Sequence, residues 1–148
     1  MGAVARNVCE EEARILKTYI RFMRAAESVT ARIHRKLPEH NLSFSQYGTL
    51  EALYHLGSLC QRDIAAKLLK SARNITMVVD NLETRGLVRR ERDSQDRRFM
   101  HVHLTVQGRA LFEEVFPSIK ASILAEMGTL SDEEREQFAS YCLRLGKK

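Results

Sequence analysis

The chain has no tryptophan, two prolines and three cysteines in 148 residues. Three is an odd number, and Cys9, Cys60 and Cys142 show no paired spacing. Neither a disulfide framework nor a zinc site is indicated, and the thiols read as small buried or incidental side chains in a reducing compartment. No apolar run is long enough to cross a membrane, and no secretory h-region opens the chain, so a cytoplasmic protein is expected. There is no nucleophile elbow, phosphate loop or zincin motif, and no carboxylate pair that can be assigned to a pocket. These absences argue against an enzyme, and no cofactor is expected. Internal repeats, low-complexity tracts and flexible linkers are missing as well.

What is present describes one globular domain with a real core, 29% charged and 44% hydrophobic. The net charge of +5 suits a polyanionic partner only modestly. Its distribution says more, because Arg89, Arg90, Arg92, Arg97 and Arg98 fall in or beside one segment. From Glu10 to Lys36 the pattern predicts one long helix ended by Pro38. Ile15, Tyr19, Phe22, Ala26, Val29 and Ile33 form one stripe, and Leu16, Ile20 and Met23 a second beside it. That face is too broad for a free-standing helix and calls for burial against the rest of the chain and a second subunit. Ser43 and Gln46 then form a capping box for a helix that stops at Gly57. Ser58 and Gln61 offer another, which leaves the start of the next helix open by a turn.

The stretch from Cys60 to Thr105 organises the chain. Ile64, Ala65 and Leu68 give a short helix one narrow apolar face. Ile75, Val78, Val79 and Leu82 bury a second helix, which Gly86 stops. Two helices across a short turn, the second polar on its free side, suit a major groove, and the charged hairpin behind them is a candidate wing. Thr105 starts another helix, in which Pro117 should introduce a kink or a break before the stripe resumes at Ile119. Ser131 and Glu134 open the last helix, with Phe138, Cys142 and Leu145 on its buried side.

Gln61-Arg62-Asp63-Ile64-Ala65, the run Asp80-Asn81-Leu82-Glu83 with Gly86-Leu87-Val88 behind it, and Asp93-Ser94-Gln95-Asp96-Arg97-Arg98 closing in Leu104-Thr105 resemble the MarR family of transcriptional regulators. The resemblance covers nearly the whole chain. It implies a mainly α (α+β) fold, a winged helix-turn-helix with long N- and C-terminal dimerisation helices. In that layout residues 1–148 form one domain, with dimerisation helices at 10–37 and 109–148 and a DNA-binding region at 42–105. Interleaved terminal helices imply a two-fold homodimer, hence an operator that is an imperfect palindrome in double-stranded DNA. The expected function is a repressor released by a ligand. Two alternatives stay open: a winged-helix protein-interaction module that no longer binds DNA, and a regulator that senses redox state through cysteine.

The expected DNA-facing residues are Lys70, Ser71, Arg73, Asn74, Thr76, Met77 and Asn81 on the second helix, with Arg92, Asp96, Arg97 and Arg98 on the wing. Arg73 can present a fork to guanine and Asn74 to adenine, although Arg73 suits a phosphate equally well. Arg97 at the hairpin tip can enter a narrow minor groove, which the resemblance also implies for the first Arg of Asp-Arg-Arg. Asp93 and Asp96 cannot favour DNA by charge, so their expected job is to hold Arg97 or Arg98. Arg89, Arg90 and Arg92 are expected to contact phosphates or form ion pairs. His101 and His103 share one strand face, read as solvent-facing rather than metal-binding for want of a further ligand. The resemblance also implies a small aromatic or phenolic effector between the dimer helices and the reading head, which His34, Tyr47 and Tyr54 would line. Some relatives in that family sense peroxide through a cysteine of the first helix, but Glu10, Glu11 and Glu12 beside Cys9 disfavour the thiolate.

Overall fold

A computed structural model of the chain describes residues 9–147. Helix α1 spans Glu10–Ile33, and its first turn carries three glutamates that suit the positive end of the helix dipole. It stops three residues short of Lys36. The His34 N–H returns to the Thr30 carbonyl at 3.1 Å, and Leu37–His40 forms a separate 3₁₀ turn with Pro38 at its start. A proline restricts the residue before it, here Leu37, so the end at Ile33 falls further ahead of Pro38 than the proline alone demands.

Helix α2 (Phe44–Leu56) opens on the expected capping box, with the Gln46 N–H donating to Ser43 Oγ at 3.1 Å. Strand β1 (Leu59–Cys60) follows, then α3 (Gln61–Lys67) and α4 (Ala72–Thr84), the two helices of the helix-turn-helix. Strands β2 (Val88–Arg92) and β3 (Met100–Leu104) make the hairpin, α5 spans Val106–Met127 and α6 spans Asp132–Gly146. The sheet order is β1-β3-β2, antiparallel throughout, with Leu59 opposite Val102 and Arg92 opposite Met100.

Two expectations are corrected, and one strand was not foreseen. Strand β1 has no counterpart in the sequence reading, because two residues carry no period-2 pattern. Ser58 does not cap α3: its Oγ pairs with His103 Nδ1 at 2.5 Å, and Cys60 occupies the cap position without a side-chain bond. Pro117 does not break α5, which continues to Met127. The carbonyl that a proline deprives of its partner belongs to Glu113, and both residues are exposed, so water can take its place.

The described residues divide into two compact units, one made of 9–35 with 122–147, the other Lys36–Ala121. In the first, Arg32 forks onto Glu126 at 2.6 and 2.8 Å. Ile15, Leu16, Tyr19 and Ile20 stay 48–63% exposed there. A groove of about 490 Å³ runs past Phe22, Ala26, Val29, Met127 and Phe138.

The second unit is built on Leu50 and Leu53 of α2, Ile64 of α3, Ile75, Val79 and Leu82 of α4, Val102 of β3 and Phe112 of α5, all within 2% of complete burial. Helix α4 ends in a left-handed Gly86 (φ 71°), whose neighbour Leu87 donates back to Leu82 at 2.9 Å. Thr105 then ties this corner to α5: its hydroxyl donates to the Gly86 carbonyl at 2.6 Å and accepts the Gly108 N–H at 3.0 Å. Gly108 packs so close to the Leu87 carbonyl that a β-carbon there would overlap it. Gly108→Ala should therefore cost about 2–4 kcal/mol, since backbone on both sides must move. Urea unfolding of the variant measures this, and wild-type stability would mean that the corner yields freely.

Candidate nucleic-acid interface

Helix α4 presents two faces. Ile75, Val79 and Leu82 are buried and Val78 is half-buried, which anchors one side. Arg73, Asn74, Met77 and Asn81 are exposed on the other, with Thr76 beside them and Lys70 and Ser71 at its start. Ser71 caps the helix, its Oγ accepting the Asn74 N–H at 3.2 Å. Two exposed polar residues are also tied inward. Asn81 accepts from Gln46 at 2.8 Å, and the Thr76 hydroxyl accepts from Gln61 at 2.8 Å. Leu69, in the turn ahead of α4, is left-handed (φ 52°) and 92% exposed, a feature the sequence reading missed.

The wing tip is built by its acids. Asp93 Oδ1 accepts the N–H groups of Gln95 at 2.7 Å and Asp96 at 2.8 Å, and Oδ2 lies 2.9 Å from His101 Nε2. These bonds, first that from Asp96, hold the Asp93 carboxyl below its ordinary range. Asp96 grips Arg98 through Nε and Nη2 at 2.8–3.2 Å, which lowers the acid and raises the guanidinium. Of the two arginines the sequence left open, Asp96 therefore orients Arg98. Arg97 is exposed and shapes the tip only through its carbonyl, which accepts from Arg92 Nη1 at 3.1 Å.

Arg90 behaves differently from its neighbours. Its side chain is 17% exposed and donates Nε to Gln61 at 3.2 Å, Nη1 to Glu83 at 3.3 Å and Nη2 to the Thr76 carbonyl at 3.1 Å. Asp80 adds an ion pair at 2.5 Å, and the Glu83 carboxylate accepts the Arg90 backbone N–H at 2.6 Å. One guanidinium thus joins the wing to the first residue of α3 and to three positions of α4. Arg89 instead pairs with Glu91 at 3.0 Å on the outer side of the hairpin.

His101 and His103 are half-buried rather than solvent-facing, because each meets a carboxylate, Asp93 at 2.9 Å and Glu91 at 3.2 Å. Among the described residues no group of three His, Cys, Asp or Glu is arranged to hold a metal, and no helix is long and apolar enough to cross a membrane. Tyr47 is 2% exposed, its ring 5.7 Å from Phe112. Burial, with the Glu51 charge second, pushes its phenol well up. Tyr54 donates to Glu113 at 3.1 Å under the Arg109 guanidinium. His34 belongs to the other unit, with Nδ1 2.9 Å from the Thr30 carbonyl.

The family model described as MarR family matches residues 40–98. The HTH-type transcriptional regulator MhqR of Bacillus subtilis (strain 168) is 33% identical over 131 residues, covering 88% of this chain and 90% of MhqR. Among solved structures, BpsR of Bordetella bronchiseptica, described for regulation of its DNA binding by 6-hydroxynicotinic acid, superposes with a TM-score of 0.80 at 25% identity. That match covers 88% of this chain and 99% of BpsR. The S. aureus MepR–DNA complex gives 0.77 at 27% identity, over 86% of this chain and 94% of MepR.

The Arg90 network makes its own prediction. Lysine keeps the charge but loses the planar fork, so Arg90→Lys leaves Gln61, the Thr76 carbonyl or Glu83 short of a donor. Stability should fall by about 1–3 kcal/mol, with α4 and β2 amides gaining hydrogen exchange before those of α2. Unchanged exchange along α4 would remove the hub from the account.

Proposed function

The chain belongs to the MarR family of transcriptional regulators, and we propose that it works as a cytoplasmic, homodimeric repressor of an imperfectly palindromic operator. In this reading α4 lies in the major groove, with Arg73 and Asn74 at base edges and Lys70, Ser71, Thr76, Met77 and Asn81 around them. Arg97 reaches the adjacent minor groove, and Arg92, Asp96 and Arg98 shape the wing that carries it. The observation that carries the reading is the division of labour on the hairpin: Arg90 and Arg98 have internal partners, whereas the Arg97 side chain is exposed at the tip.

The exposed apolar stripe of α1 supports a second copy of the chain as partner, since monomers rarely leave such a face to water. The protein-interaction alternative has no comparable support, because an apolar contact surface does not require a guanidinium at a wing tip. Release by a small aromatic or phenolic compound is supported by the BpsR likeness, with Tyr54 as a lining candidate and Tyr47 available only if α2 and α5 part.

Salt-dependent binding to DNA flanking the protein's own gene tests this. Arg97→Ala should weaken operator binding and flatten the slope of log affinity against log salt by about one unit per subunit. Two chains should bind each operator, and the loss should be larger with A·T-rich flanks. Wild-type affinity with an unchanged slope would mean that the hairpin does not read DNA.

A further inference from the structure

A second arginine, Arg62, is as exposed as Arg90 is committed. Its side chain is 74% accessible, and among the described residues it donates no hydrogen bond; the nearest carboxylate, Asp63, is 3.9 Å away. Its guanidinium lies 5.1 Å from the centroid of the Phe99 ring, on the returning limb of the wing. Stacking on an aromatic face holds a guanidinium in place while its edge stays open to an acceptor.

Arg62 and Phe99 border a cleft of about 260 Å³, which Cys60, Ala72 and Arg98 also line. Among the described residues none that bears a carboxylate lines it. Asp96 occupies Nε and Nη2 of Arg98 and leaves Nη1 for another partner. Ala72 is the first residue of α4, so the cleft opens between the start of that helix and the wing.

On the reading proposed above, the helix occupies a major groove and the wing tip a neighbouring minor groove. One strand of the duplex backbone separates those grooves and must cross between the two elements. We propose that the cleft seats one backbone phosphate of that strand, with Arg62 as its main donor and Arg98 as the second. Arg62 then positions the protein along the strand without reading sequence, since phosphate contacts fix register. The preformed stack lowers the ordering cost of the contact.

The test uses full-length protein on its operator, with neutral methylphosphonate replacing one phosphate at a time. Arg62→Ala should bind roughly tenfold more weakly and flatten the salt slope by about one unit per subunit. One phosphate in each half-site should matter to the wild type and no longer matter to Arg62→Ala. Arg62→Lys should keep the slope but not the full affinity, and thermal unfolding should be unchanged in both variants. Undiminished binding by Arg62→Ala, or a loss that no phosphate position shares, would overturn the assignment. So would saturable binding of inorganic phosphate that depends on Arg62 while operator binding does not. If the wild type binds no operator at all, the regulatory reading itself falls, which is a different result from failure of Arg62→Ala alone.

Discussion

A guanidinium that bonds two helices from a strand is the constraint on which the interface depends. Arg90 reaches Gln61 at the start of α3 and Thr76, Asp80 and Glu83 along α4, while its own backbone N–H is held by Glu83. Arginine alone among the side chains offers a rigid fork whose donors serve several acceptors at once. The apolar packing of Ile75, Val79 and Leu82 fixes which side of α4 faces inward. Packing of that kind is tolerant of small shifts, whereas a hydrogen-bonded fork is directional. The angle between recognition helix and wing is therefore set by polar geometry laid over an apolar core.

The other details of the interface follow from that arrangement. With Arg90 committed inward, the positive charge presented to solvent includes that of Arg73, Arg97 and Arg62. Gln61 donates to Thr76 while accepting from Arg90, so the same network holds the two helices of the motif together. At the tip, Asp93 folds the turn and Asp96 restrains Arg98, while the Arg97 side chain is exposed. The acids of the wing, unfavourable beside phosphates, are spent on local geometry. Their lowered titration means that this geometry is complete above the ordinary carboxylate range and fails as pH drops through the lowered values.

Much of this was legible before the structure. Helical spacing identified the buried sides of α3 and α4, the Ser43 and Ser131 boxes marked two helix starts, and Gly86 marked an end. All of these are local signals, carried by residues a few positions apart. The roles of Arg90 and Arg62 were not legible. In sequence, Arg90 is one of five similar residues, and its partners lie 7 to 29 positions away. Arg62 of α3 finds Phe99 on the wing, a contact that no periodicity announces. Pro117 leaves α5 unbroken for a related reason. Proline's cost depends on whether water reaches the stranded carbonyl, and that is a matter of exposure rather than of pattern.

If Arg90 sets the angle between helix and wing, a wing contact must depend on it from a distance. A double-mutant cycle of operator binding with Arg90→Lys and Arg97→Ala measures this dependence. The account predicts that Arg97→Ala costs less in the Arg90→Lys background than in the wild type, with a coupling of about 0.5–3 kcal/mol. Losses that add to within about 0.3–0.5 kcal/mol would contradict it, because helix and wing would then read their grooves independently.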